Sequence, residues 1–391
     1  MTRFTNSLMK VVILVGGQGT RLRPLTLTTP KPLMPLVNRP FFDHVLYLLE
    51  RHGITDVILA IGYRSESWTE TYGDGSHLGV NLTYVREEMP LDTGWAIKNV
   101  QSYLDPNETF MVFNGDILTD LDLTGMIRFH KEHKSACTIS LTPVEDPSAY
   151  GVVDMDDMGH IERFTEKPKR EEATSNWINA GTYLLEPSVL DYISEPQILE
   201  EIPAGRPYSV EYGLFPRLLH ERKPLFGYRS GAYWMDIGTP GKYLQAHVDL
   251  LTGRLASHLP VEGERLSEQV WAGEGSFIHS SARLSGAVVL GKGCQVGEDA
   301  FILGPTVLGN NCIVEEDAEL QGVVAWEGVT FASKSRTRNS IVAHGATVGQ
   351  ETRVEDGSIV GGKANTGAKN HLSHGLKLQP SITLPDNSVT F

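Results

Sequence analysis

Residues 14–26 of the chain, LVGGQGTRLRPLT, are built to hold an anion. Gly16, Gly17 and Gly19 let the backbone turn sharply and aim N–H groups at a negative charge. Arg21 and Arg23 add positive charge. Arg21 follows the last glycine by two residues, where it is placed to fold over bound phosphates. Lys31 is a second cation at a fixed position, because Pro30 and Pro32 stiffen the chain on either side of it. The pattern is not a Walker loop, since no Gly-Lys-Ser/Thr follows. It is not a dinucleotide fingerprint either, since the third glycine is missing.

A loop of this kind must leave a strand of an α/β sheet. Residues 11–15 read as a buried strand, residues 57–61 as the next, residues 110–113 as another running into Asn114-Gly115-Asp116, and residues 136–141 as a further one. Phe42, Val45, Leu46 and Leu49 recur at helical spacing, and Gly53 closes that helix. A hairpin is expected around residues 156–159, and a last helix over 243–251. Short β-rich runs alternating with helices predict an α/β, Rossmann-like domain with a mostly parallel sheet over residues 1–252.

After a linker at 253–275 the texture changes. Ile278, Leu284, Leu290, Val296, Ile302, Leu308, Val314 and Leu320 recur every six residues. Ala282, Val288, Cys294, Ala300, Thr306, Cys312, Ala318 and Val324, all small or β-branched, lie four places after them. The rhythm stops over 325–340 and resumes at Val342, Val348, Val354 and Val360. A period of six belongs to neither helix nor hairpin. It predicts an all-β parallel β-helix over 276–365, in which each turn adds a rung and stacking buries the aliphatic column. Residues 325–340 are expected as a loop ejected from the solenoid, and 366–391 as a tail or cap. Residues eighteen apart stack, so Cys294 and Cys312 are expected as neighbouring buried thiols, about 4.8 Å apart along the axis and not in a disulfide.

The string GGxGTRLRPLT followed by Pro-Lys-Pro resembles the signature of the sugar-nucleotide pyrophosphorylases, a nucleotidyltransferase family. The resemblance covers nearly the whole chain, including a left-handed hexapeptide β-helix behind the catalytic domain. It implies that the amides of Gly16, Gly17, Gly19 and Thr20, with Arg21, grip a nucleoside triphosphate, and that Lys31 is the companion lysine. It implies Asp116 and Asp236 as ligands of Mg²⁺, an ion that favours two hard oxygens and completes its octahedron with substrate phosphates. Glu166-Lys167-Pro168 matches the family's EKP motif, with Glu166 on sugar hydroxyls and Lys167 on the sugar phosphate. Asn179-Ala180-Gly181 matches its NAG motif, Gly151 lies in the segment that lets the sugar approach the backbone, and Glu211 is a further sugar contact.

The reaction so implied is attack of a sugar 1-phosphate oxygen on the α-phosphorus, with pyrophosphate leaving. The nucleophile is already ionised, so the work is positioning and charge neutralisation by Arg21, Lys31, Lys167 and the metal. The phrasing of residues 178–187 and 233–251 looks closest to the mannose-1-phosphate guanylyltransferases, with glucose-1-phosphate uridylyl-, thymidylyl- and adenylyltransferases as the alternatives. The base is expected near residues 87–96. There Glu87 is suited to accept from N1–H and the amino group of guanine, or is a solvated strand residue. Gly94 belongs to the same nucleotide segment. That segment departs from the family's LGTAGA in Asp92 and Trp95; Trp95 either stacks on base or sugar or crowds the pocket.

A chain of 391 residues with 40% hydrophobic and 21% charged residues has room for two folded domains. Its net charge of −14 argues against nucleic acid or an anionic membrane as partner. Three scattered cysteines give neither a zinc spacing nor a disulfide framework, and with no apolar leader the expected location is the cytoplasm. Residues 1–8 are an extension ahead of the first strand, or Met9 is the start. The substrates are small molecules, and assembly into a homo-oligomer through the β-helix is expected. Acyl transfer, common among hexapeptide β-helices, would draw its base from His279 or His344, but the His-rich acyl site of bifunctional relatives is not found; His371 and His374 lie past the last clear rung. A regulatory, non-catalytic nucleotide-sugar-binding paralogue would lose its phosphate-loop charges, whereas Arg21, Lys31, Asp116 and Asp236 are all present.

Overall fold

The computed structural model describes residues 9–62, 66–88, 91–193, 208–256 and 259–390. Residues 1–8, and with them the choice between Met1 and Met9, lie outside the described residues. The chain divides into two compact units, one of residues up to 17 with 45–234, the other of 18–44 with 235–391. Among the described residues no helix is long and apolar enough to cross a membrane.

The first unit is built on a nine-stranded sheet. Its strands are β1 (Lys10–Leu14), β2 (Asp56–Ile61), β3 (Asn81–Arg86), β4 (Phe110–Asn114), β5 (Cys137–Pro143), β6 (Gly151–Met155), β7 (Ile161–Glu166), β8 (Trp177–Leu185) and β9 (Leu225–Arg229). Their order is β7-β6-β8-β4-β1-β2-β3, with β5 on β8 and β9 on β5. β1 runs parallel to both β2 and β4, and β2 runs parallel to β3. β8 is antiparallel to β4 and β5, and β6 and β7 form the expected hairpin. Val11, Val12 and Ile13 of β1, and Phe110 to Phe113 of β4, are buried on both faces, as central parallel strands require. After β3 the chain returns to the opposite side of β1, so the strand order reverses between β1 and β4. An open α/β sheet binds its ligands at the carboxyl ends of the strands at such a reversal. Gly16 and Gly17 follow β1 there, and Asp116 follows β4.

In the second unit, the strands from Val270–Ala272 to Lys377–Leu378 stack as three parallel sheets. The aliphatic column is buried as the six-residue period demands, and so are Cys294 and Cys312, both free thiols. Residues 325–340 are not an ejected loop. Val324–Ala325, Thr330–Phe331 and Arg336–Arg338 pair in register with the coils on both sides. Earlier coils repeat every eighteen residues, as Val289 with Val307. Here Val307 pairs with Val324, and Val324 with Ile341. Two corners, at 321–323 and 338–340, are each one residue shorter than the corresponding corners of the coils before and after the pair. The inward column therefore runs on through Ala325, Phe331 and Thr337, all buried. The coils also extend past 365: His371–Leu372 and Lys377–Leu378 continue the pairing where a tail or cap is expected from sequence. His279 bonds Ser281, and His344 stacks on Trp326.

Of the helices α1 (Phe41–Arg51), α2 (Glu66–Tyr72), α3 (Thr93–Asn99), α4 (Leu123–Glu132), α5 (Phe215–His220) and α6 (Pro240–Leu251), the last, N-capped by Thr239, belongs to this unit. Its Tyr243 and His247, one turn apart, face the hairpin of Pro35–Leu36 and Arg39–Pro40. His247 is 2% exposed, and its Nδ1 accepts the Val37 N–H at 3.3 Å. Burial, then the neighbouring His44, lowers its pKa to about 3. The unfolded chain takes up a proton near pH 6.5 that the folded chain refuses until about 3, so this contribution is complete above 6.5 and is lost as pH falls below it. The expected slope is about 1.4 kcal/mol per pH unit well below 6.5. Denaturant melts between pH 7.5 and 4.5 check this: His247→Gln should flatten the dependence by about one proton, and an unchanged slope would refute it.

Candidate active site

Gly19 sits at φ 59°, the left-handed region that favours glycine, and a Cβ there would lie 2.9 Å from Thr26 Cγ2. Thr26 closes the loop by donating its hydroxyl to the Gly19 carbonyl at 2.8 Å. Thr20 and Arg21 open the short turn that follows, both exposed. Arg21 Nη2 lies 4.0 Å from Asp236 Oδ2, and Lys31 Nζ lies 3.6 Å from Oδ1. The Lys31 side chain is 9% exposed against 69% for Arg21, so Lys31 is the buried charge that most needs Asp236. A third cation, Lys242 of α6, approaches Asp236 Oδ2 at 3.8 Å. Sequence reading missed Lys242. The available signal was its place in the first turn of a helix that starts just after Asp236. A Cβ on Gly238 would meet Arg21 Nη2 at 2.9 Å and the Asp236 carboxylate at 3.0 Å, so the glycine of WMDIG leaves room for the cluster.

Three cations about one carboxylate leave local positive charge in a chain whose net charge is −14. Asp236 Oδ1 is buried and accepts no hydrogen bond. A hard, anionic oxygen of this kind fits a divalent cation as well as Lys31. Among the described residues no three His, Cys, Asp or Glu side chains cluster to hold an ion by themselves.

In the first unit Gly17 is exposed with open space beside its α-carbon, while Gly16 lies under Glu87. A Cβ at Gly16 would be 3.1 Å from Glu87 Oε2. Glu87 is 8% exposed and accepts the Leu91 N–H at 3.2 Å. Burial raises its pKa, and the Leu91 amide opposes that shift. It is therefore not a solvated strand residue. Asp92 has a structural task, as N-cap of helix α3 (Thr93–Asn99), accepting from Thr93 N at 2.8 Å. Gly94 is buried against Tyr208: its N–H goes to the Tyr208 carbonyl, and a Cβ would strike the ring at 2.4 Å. Trp95 stacks on Tyr208 at 6.3 Å and 20°. Asp116 stands in the turn after β4, and Gly115 allows that turn to pack on Leu14 and Val15.

The sugar-phosphate candidates also gather in the first unit. Glu166 Oε1 and Lys167 Nζ are 2.9 Å apart, and this contact with Glu166 is the main reason the Lys167 pKa is raised. Lys167 holds φ 47°, a strained conformation for a side-chain-bearing residue and of the kind that clusters at functional sites. A Cβ at Gly151 would fall 2.5 Å from Phe164 Cζ and 2.8 Å from Glu166 Oε2, so the glycine leaves room for both side chains. Glu211 accepts from Thr93 Oγ1 at 3.1 Å; burial first, and Glu166 next among the raising influences, push its pKa up. Asn179 is occupied within the chain: Nδ2 donates to Tyr183 at 2.9 Å, and Oδ1 accepts from Gly181 N at 2.9 Å. It fixes the bulge of β8, where Gly181 has φ 75°. Trp234, missed from sequence, donates Nε1–H to Ala180 O at 2.9 Å and meets Tyr150 edge-on at 5.5 Å.

Residues 267–372 match the family described as EIF2B subunit epsilon LbH domain. A mannose-1-phosphate guanylyltransferase of Mycobacterium tuberculosis is 41% identical over 263 residues, 67% of this chain and 70% of that protein. A protein of Oryza sativa subsp. japonica, named probable mannose-1-phosphate guanylyltransferase 2, is 36% identical over 95% of this chain and 96% of its own length. Among solved structures, HddC from Yersinia pseudotuberculosis complexed with GMP-PN superposes with a TM-score of 0.51 at 28% identity, covering 62% of this chain and 99% of that one. Residues 10–253, which carry the glycine loop, Asp116, Lys167 and Asp236, match the family described as Nucleotidyl transferase, and this chain belongs to it.

Proposed function

We propose that this chain joins GTP to mannose 1-phosphate, giving GDP-mannose and pyrophosphate. A phosphate oxygen of the sugar attacks the α-phosphorus, the α–β bond breaks in line, and the electron pair leaves with pyrophosphate. No proton transfer is required. Gly16, Gly17, Gly19 and Thr20 present backbone to the triphosphate, and Arg21 and Lys31 neutralise its charge. Lys167 holds the sugar phosphate, while Glu166 and Glu211 accept from sugar hydroxyls, with Gly151 and Asn179 shaping the backbone around them. Asp116 and Asp236 are each assigned as a ligand for Mg²⁺, which would supply Lewis-acid neutralisation of the phosphate oxygens. The same proposal has the reaction take place in the cytoplasm.

The observation that carries the guanine assignment is the buried Glu87 carboxylate against Gly16. Guanine offers an N1–H and an amino group to one carboxylate; uracil, thymine and adenine do not offer that pair. The similarity to proteins named mannose-1-phosphate guanylyltransferases supports the sugar. Turnover with GTP, UTP, dTTP and ATP, each with mannose or glucose 1-phosphate, tests the reading. GTP with mannose 1-phosphate should win, and Glu87→Gln should lower kcat/KM for GTP by about tenfold or more, as loss of a charged hydrogen-bond acceptor does. Preference for another pair in the unaltered enzyme would reassign the substrates.

A further inference from the structure

We infer that Trp326 of the β-helix is a positioning residue for the Lys31 segment, acting through the hydroxyl of Tyr243. The inference rests on the phosphate-binding role proposed for Lys31.

Trp326 is out of character for its place in the solenoid. The corner that follows each strand of its sheet is held in successive coils by Gly273, Gly291, Gly309, Trp326, Ala343 and Gly361. Their N–H groups bond the next coil at Leu290, Leu308, Ala325, Val342, Val360 and Leu378 in turn. Of these six corners, all but the one at Trp326 carry glycine or alanine; the terminal strand Lys377–Leu378, which has no following coil in this sheet, is succeeded by Gln379. Stacking therefore does not call for an indole there. The tryptophan is nonetheless 3% exposed, with its backbone locked in the ladder and its ring stacked on His344.

Its polar atom has one destination. Trp326 Nε1–H donates to Tyr243 Oη at 3.0 Å, and Tyr243 donates its own proton to the Pro35 carbonyl. Tyr243 is 1% exposed, and burial raises its pKa, which keeps the phenol a donor. Pro35 has no N–H, so its carbonyl is the backbone group by which that residue can be held; beside it Phe41 N–H bonds the Met34 carbonyl, and His44 Nε2 lies 3.2 Å from the Leu36 carbonyl. Upstream lies the short turn Lys31–Leu33, tied by Leu33 N to Pro30 O and Met34 N to Lys31 O. Downstream, Val37 N is held by His247, and Asn38 Nδ2 donates to Leu308 O of the solenoid at 2.8 Å. A lysine with four rotatable bonds binds phosphate productively only if its backbone is fixed, and small misplacements are costly. The relay from coil to α6 to Pro35 supplies that fixation.

Tyr243→Phe and Trp326→Phe each remove one hydrogen-bonding atom and keep an aromatic ring. Kinetics at 25 °C and thermal melts are measured for each, alone and combined with Lys31→Ala. We expect kcat/KM for the nucleotide to fall about tenfold in Tyr243→Phe, matching the loss of one buried hydrogen bond. A smaller fall is expected in Trp326→Phe. Neither should lower activity further once Lys31 is alanine. A lowered melting temperature with unchanged kcat/KM would make the relay merely structural and overturn the inference. Equal losses with and without Lys31 would overturn it as well. Full activity of Lys31→Ala alone would instead remove the role of Lys31 itself, and the relay's purpose with it.

Discussion

Replacing Arg21 by alanine is expected to lower turnover about a hundredfold or more and to leave thermal stability unchanged. The two halves of this result come from different features. Arg21 is 69% exposed and meets Asp236 only at 4.0 Å, so folding gains little from it. Its guanidinium lies two residues beyond Gly19, with five donors in a planar fork that matches phosphate oxygens. Charge builds on those oxygens as the α–β bond opens, so the interaction is stronger in the transition state than in the ground state. Loss should therefore appear in kcat at least as much as in KM. Arg21→Lys should recover only part of the rate, because it restores the charge without the fork. Steady-state kinetics with saturating metal decide the matter, and a rate equal to the parent enzyme would remove Arg21 from the mechanism.

The glycine turn was legible in the sequence because its conformation is local: Gly19 holds the left-handed φ that glycine adopts most readily. The solenoid was legible because one inward residue per face repeats whatever the turns contain. Residues 325–340 were misread for a physical reason. A coil can lose a residue at a corner while its strands stay in register, and two such losses shift the count without breaking the stack. Trp95 reads from sequence as stacking on base or sugar or as crowding the pocket, because its partner, Tyr208, lies more than a hundred residues away. Gly94 was assigned to nucleotide on the same local evidence, and the same tyrosine accounts for its close packing. Glu87 could not be told from a solvated strand residue, since its burial depends on a neighbour, Gly16, far away in the chain. Lys242 was missed because only the first turn of α6 brings it back to Asp236.

Asp236→Asn should reduce turnover about a hundredfold to a thousandfold and also destabilise the fold, a combination not expected of Arg21. Two properties of the carboxylate are lost together. Its Oδ1, buried and accepting no hydrogen bond, is a hard oxygen suited to a divalent ion, and metal neutralisation of phosphate charge is worth several kcal/mol at the transition state. It is also the anion beside Lys31, whose side chain is 9% exposed. Removing a counter-ion from beside a buried charge costs up to about 3–5 kcal/mol. The true cost should fall below that range, because Asp236 keeps 16% of its side chain in solvent and the amide retains a dipole toward Lys31. The two losses separate by titration. If Asp236 holds metal, raising Mg²⁺ should restore part of the rate in Asp236→Asn while the melting temperature without substrate stays low. If it serves only Lys31, added Mg²⁺ should restore nothing, and Lys31→Met in the same background should recover stability without recovering turnover.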